Sequence, residues 1–128
     1  MKILGLILLI FFLLLCGFAL YYKATYIDES VEAGEGFGFI IGSSKTDAYS
    51  VSKKLFKDKK VYILNPINEK GLGPQELFNF SNGAYQIIAN RDLWEFYFAN
   101  NFLDFLRLEF KGGILIKIYR HKQPFELP

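Results

Sequence analysis

Few residues in this chain are of a type that does chemistry. There is one histidine, His121, set between Arg120 and Lys122, and one cysteine, Cys16. A nucleophile needs a base held beside it, and the sequence names no nucleophile or carboxylate to pair with His121. A metal centre needs several clustered ligands; one histidine with scattered acids does not supply them. Glu95, Asp104 and Glu109 could be set in pairs for glycoside chemistry. Among 13 Asp and Glu, such a trio carries little weight. Gly34, Gly36 and Gly38 resemble half a dinucleotide fingerprint, but no strand precedes them and no spaced third glycine opens a helix after them. The expectation is a protein with no catalytic residue, no cofactor and no metal, and hence not an enzyme.

Recognition chemistry remains. Aromatic residues make up 18% of the chain, and Trp94, Phe96, Tyr97, Phe98, Phe102 and Phe105 crowd together. One sheet face can bury about half of them. The rest are either covered by a helix and loop or left to bind a partner. Trp, Tyr and Arg dominate the energetics of protein interfaces, so the partner-binding candidates are Trp94, Glu95, Tyr97, Arg107, Tyr119 and Arg120. The loop at 65–74 is a second candidate contact. Lys53, Lys54, Lys57, Lys59 and Lys60 form a basic patch open to an acidic partner or to anionic lipid heads. Fifteen Lys and Arg against 13 Asp and Glu leave a net charge of +2. That is too near balance for a protein that grips nucleic acid phosphates.

The elements that must position these residues begin with an apolar segment. Residues 3–20 hold no charge, and residues 3–22 as a helix would span about 30 Å. Tyr21 and Tyr22 stand at its carboxyl end, where an aromatic belt belongs. The stretch is longer than the core of a cleaved signal peptide and has no small-residue cleavage site. Cys16 follows Leu15 rather than the small residue of a lipidation box. An uncleaved single-pass anchor in lipid is expected, with Cys16 a silent thiol. Residues 1–22 are read as anchor, 23–35 as an acidic tether and 36–128 as a soluble α+β domain. The amino terminus is expected in the cytoplasm and the larger part outside it, in the periplasm of a bacterial inner membrane.

Within the domain, Phe37-Gly38-Phe39-Ile40-Ile41 reads as a first strand. Ser44 with Asp47 three residues on starts a helix whose apolar face is Ala48, Val51, Leu55 and Phe56. Val61-Tyr62-Ile63-Leu64 is a strand ended by Pro66. An Asn82-Gly83 turn suggests a hairpin between 77–80 and 84–89. Asn79-Phe80-Ser81 fits a glycosylation triplet that chance also produces. Leu93 to Phe98 is strand-like. Phe102, Asp104, Leu106, Leu108 and Phe110 alternate on one face of the next strand, with Asp104 answered by a partner such as Arg120. Ile114, Ile116 and Ile118 line the strand after it. A three-residue turn would pair Phe110 with Ile114, whereas a two-residue turn would bury Lys117. The fold expected is one amphipathic helix packed on an antiparallel sheet of about four to six strands.

Two resemblances follow from these residues. Gly42-Ser43-Ser44-Lys45-Thr46-Asp47-Ala48, opening a helix before an antiparallel sheet, resembles the BamE/SmpA-like small envelope proteins. That likeness implies a factor assisting outer-membrane protein assembly. Trp94-Glu95 in a short anchored α+β domain is similar to membrane-anchored immunity proteins of bacterial polymorphic toxin systems. That likeness implies a protein that neutralises a toxin by binding it. The expected partners are membrane lipid through residues 3–22 and a protein, toxin or envelope component, and no nucleic acid.

Overall fold

The computed structural model describes residues 2–64, 75–81, 83–98 and 103–125. Helix α1 runs Lys2–Thr25, and its side chains from Ile3 to Leu20 are all exposed. One residue later the chain enters strand β1, Ile27–Val31. The segment expected to be a tether is therefore an edge strand. Its sequence IDESV has apolar residues only at the two ends, so it lacks the alternation that marks a strand. Its exposed acids, Asp28 and Glu29, discourage pairing of that open edge with another chain.

The expected first strand is a minute hairpin instead, β2 (Glu35–Gly36) with β3 (Phe39–Ile40). Phe37 at φ 53° and Gly38 at φ 87° make its turn. A bulky side chain rarely takes that left-handed conformation. Helix α2, Lys45–Phe56, starts at Ser44, whose hydroxyl accepts the Asp47 amide at 3.1 Å and donates to the Asp47 carboxylate at 2.7 Å. Its buried face is Ala48, Tyr49, Ser52 and Phe56. Leu55, expected inside, is 42% exposed. Ser52 is fully buried because its hydroxyl donates to the Ala48 carbonyl at 2.8 Å.

Strand β4 is Val61–Leu64, as expected, and β5 is Gln75–Leu77. The hairpin expected around Gly83 does not form. Ala84–Ile88 is a short helix, α3, which buries Ala84 and Ile88 four residues apart. That spacing suits a helix as well as an alternating strand does, and here the helix buries both residues on the core. Strands β6 (Leu93–Phe98), β7 (Asp104–Lys111) and β8 (Ile114–Lys122) follow.

The main sheet has six antiparallel strands in the order β1-β8-β7-β6-β4-β5. The fold is α+β, with an apolar amino-terminal helix and α2 on one face of the sheet. One register differs from the expected one. Gly112 and Gly113, both at positive φ, make a two-residue turn that pairs Lys111 with Ile114. A bulge beside Glu109 and Phe110 then takes up one extra residue of β8. The bulge lets Leu115 and Ile118, three residues apart, both reach 0% exposure, while Ile114 and Ile116 are 42% exposed. Lys117 faces Glu109 on the outer side, so the short turn does not bury it.

The core lies between the sheet and α2 with α3. Val61, Trp94, Phe96, Leu106, Leu108, Leu115 and Ile118 project from the sheet into it. Phe56 of α2 packs against Phe96 and Phe98 at ring separations of 5.8 and 5.1 Å. Aromatic rings supply much of this burial, and each carries a large apolar area.

Candidate functional site

Alternation along β6, β7 and β8 sends one row of side chains into the core and the other row outward. The outward row gathers Glu95 and Tyr97 from β6, Phe105 and Arg107 from β7, and Tyr119 and His121 from β8. Asp28 joins from β1, opposite His121. Four of the six residues expected to bind a partner, Glu95, Tyr97, Arg107 and Tyr119, thus stand together on the outer face.

Glu95 sits at the centre. Arg107 reaches its Oε1 with both Nη2 and Nε at 2.6 Å, and Tyr97 donates its hydroxyl to Oε2 at 2.9 Å. Burial, and then the Glu95 charge, push the Tyr97 phenol far above its ordinary range. The Arg107 guanidinium lies 5.5 Å from the Phe105 ring and 5.7 Å from the Tyr119 ring. Phe105 in turn packs on Tyr97, Tyr119 and His121 at 5.5, 5.7 and 5.4 Å. Tyr119 donates a short hydrogen bond to Asp28, and Tyr26 donates to the other oxygen of that carboxylate at 3.3 Å. His121 Nδ1 lies 3.6 Å from Asp28 Oδ1. The Tyr119 hydrogen bond, with smaller help from His121 and Tyr26, holds the Asp28 carboxyl below the usual range. The same bond raises the Tyr119 phenol.

Next to this cluster is a hollow of about 310 Å³, lined by Ser30, Arg107, Glu109, Lys117 and Tyr119. Lys117 is tied to Glu32 at 2.9 Å along its rim. Each central carboxylate accepts hydrogen bonds from side chains around it. The face is amphipathic, with aromatic rings between paired charges.

Two of the six candidates are elsewhere. Trp94 is 2% exposed and belongs to the core row. Its indole N–H donates to the carbonyls of Ile88 at 2.8 Å and Arg91 at 3.1 Å, which ties α3 to the sheet. Trp94 and Glu95 are neighbours in sequence, so one strand sends them to opposite faces. Arg120 also points to the core side. It bonds Asp104 at 2.5 Å and lies 5.1 Å from the Phe98 ring. That is the Asp104 partner expected from sequence, and it makes Arg120 structural at this end of the sheet. Asp28, Tyr26 and Phe105 belong to the outer face and were missed, the first two because the segment holding them was read as a tether.

The loop at 65–74 lies outside the described residues, so its proposed contact role has no structural description. Among the described residues, no group of three or more His, Cys, Asp or Glu could hold a metal ion. No protein-family model, no curated protein and no solved structure matches this chain.

Proposed function

We propose that this chain is a membrane-anchored protein-binding module of the immunity type, which neutralises a toxin by occupying it. In this reading α1 crosses a bacterial inner membrane once and carries the sheet on the periplasmic side. α1 is long and apolar enough to cross a membrane, and its side chains from Ile3 to Leu20 are exposed, with Phe125 resting on Phe18 near its end. Exposed apolar surface of that extent calls for lipid.

The observation that carries the reading is the preorganised cluster of Glu95, Tyr97, Phe105, Arg107 and Tyr119 on the sheet face away from α2. Aromatic and arginine side chains locked by neighbours are the usual anchors of interfaces. Around the cluster and its hollow the outer face carries the acids Asp28, Glu32, Glu95 and Glu109 against Arg107 and Lys117. The fitting partner therefore presents basic groups, and its binding weakens with added salt.

Deleting the gene and growing the cells to high density tests the toxin reading. Self-intoxication that the wild-type chain rescues and Arg107→Ala does not is the expected result. No self-intoxication, with cross-linking to envelope assembly machinery, would overturn it in favour of the BamE/SmpA-like role.

A further inference from the structure

The register shows which end of the sheet meets α1. β1 starts one residue after α1, and its Ile27 pairs with Lys122, which in turn pairs with Asp104. Tyr97 faces Phe105, and Phe98 faces Val61. The beginnings of β1, β7 and β4 and the ends of β8 and β6 therefore share one end of the sheet. Lys59 and Lys60 immediately precede Val61 and lie at that end too. The Gly112-Gly113 turn marks the other end.

The chain after β8 folds back against the apolar helix. The Phe125 ring lies 5.1 Å from Phe18 and 5.4 Å from Tyr22. Phe18 stands about two turns before the end of α1, roughly 10 Å along its axis. The lysine-bearing end of the sheet is thus held against the last turns of the helix. In a bilayer spanned by α1, that is the depth of the lipid phosphates.

A groove of about 370 Å³ opens there, lined by Lys59, Lys60, Phe98, Asp104, Arg120 and Lys122. Among the described residues Asp104 is the only carboxylate in its lining, and Arg120 already holds it at 2.5 Å. Arg120 also donates to the Phe105 carbonyl at 2.9 Å. Lys59 Nζ lies 5.5 Å from the Phe98 ring, on which Arg120 also rests. Among the described residues, none of Lys59, Lys60 and Lys122 has a carboxylate partner. Of the other described acids at this end, Asp58 lies 4.0 Å from Lys57, Asp28 is taken up by Tyr119 and Tyr26 on the outer face, and Glu29 is exposed on the β1 edge opposite Arg120. Three unneutralised ammonium groups around one groove repel one another until an anion joins them. A phosphodiester supplies the charge and several acceptor oxygens, and lysine binds phosphate as a compact point charge.

We propose that this groove binds the phosphate of an anionic phospholipid headgroup, and so fixes the sheet's height and rotation on the membrane. The proposal rests on α1 spanning the bilayer. Its position beside α1 favours a headgroup over phosphate from solution.

The full-length chain in nanodiscs of phosphatidylcholine doped with phosphatidylglycerol provides the test. Lipids retained on the protein after transfer to detergent are counted by native mass spectrometry. Retention of phosphatidylglycerol over phosphatidylcholine by about 25-fold is expected from Lys60 and Lys122 together, since each lysine at an anionic surface contributes about fivefold. Lys60→Gln with Lys122→Gln is expected to remove the preference. Lys111→Gln, at the far end of the sheet, leaves it intact. Unchanged Trp94 emission verifies that each variant is folded. Equal retention of the two lipids, a preference that survives the double substitution, or its loss to excess inorganic phosphate would each overturn the headgroup site alone. A chain that fails to enter the nanodisc would overturn the spanning role of α1 and the site with it.

Discussion

Glu95 has three hydrogen bonds donated to it from two side chains, and that occupancy defines its role. Removing Arg107 would strand a part-buried carboxylate beside the Tyr97 phenol. Arg107→Ala should therefore lower the stability of the full chain in detergent micelles by about 1–2 kcal/mol, read by urea unfolding. Arg107→Lys should recover only part of the loss, because one ammonium cannot reproduce the double donation. Asp28 gives a pH signature. Its carboxyl is lowered in the folded chain by Tyr119 first, so the folded state holds that proton more weakly than the unfolded chain does. The stabilisation is present above ~4, the ordinary carboxyl range, and is lost as pH falls through the lower folded value. Asp28→Asn should flatten that acid limb of a melting-temperature profile, and Tyr119→Phe should change it in a non-additive way with Asp28→Asn. The outer row was legible because Glu95, Tyr97, Arg107 and Tyr119 fall at alternating positions of adjoining strands. Trp94 was legible too, had strand parity been applied, since it cannot share a face with Glu95. Trp94→Phe should cost about 1–3 kcal/mol by leaving the Ile88 carbonyl without its donor.

Among the elements, β8 separates what a sequence pattern reveals from what it hides. Ile114, Leu115, Ile116, Lys117 and Ile118 offer two apolar rows, and the glycine pair allows either turn length. The deciding feature is the bulge, which has no marker in residue type. It places Leu115 and Ile118 inside at a spacing that a regular strand forbids. Leu115→Ala should cost about 2–5 kcal/mol and Ile116→Ala less than about 1, in parallel urea titrations. Equal costs would restore the three-residue turn. β6, β4 and the start of α2 were readable because local propensity, caps and proline agreed. β1 was not, because an edge strand with acids in its middle lacks an apolar alternation, and its pairing with β8 spans most of the chain. α3 escaped notice for a different reason: a five-residue helix has too few positions to show a period.

For the whole molecule, the composition already separated an apolar segment from a nearly neutral domain. It did not reveal how closely the two meet. Only Tyr26 lies between α1 and β1, and Phe125 packs back on Phe18 and Tyr22. The sheet is therefore fixed to the end of the helix, with lysines at the near end and the Glu95–Arg107 cluster on its open face. We propose this open face as the place where a protein partner docks. Site-specific photocrosslinking in the native membrane tests it most directly. A benzophenone side chain is placed at Ser30 or Lys117 beside the hollow, and at Leu55 or Ile87 on the opposite side. One discrete protein adduct is expected from Ser30 and Lys117, abolished by Arg107→Ala, and none from Leu55 or Ile87. Adducts arising equally from both sides, or none from the outer face, would contradict it.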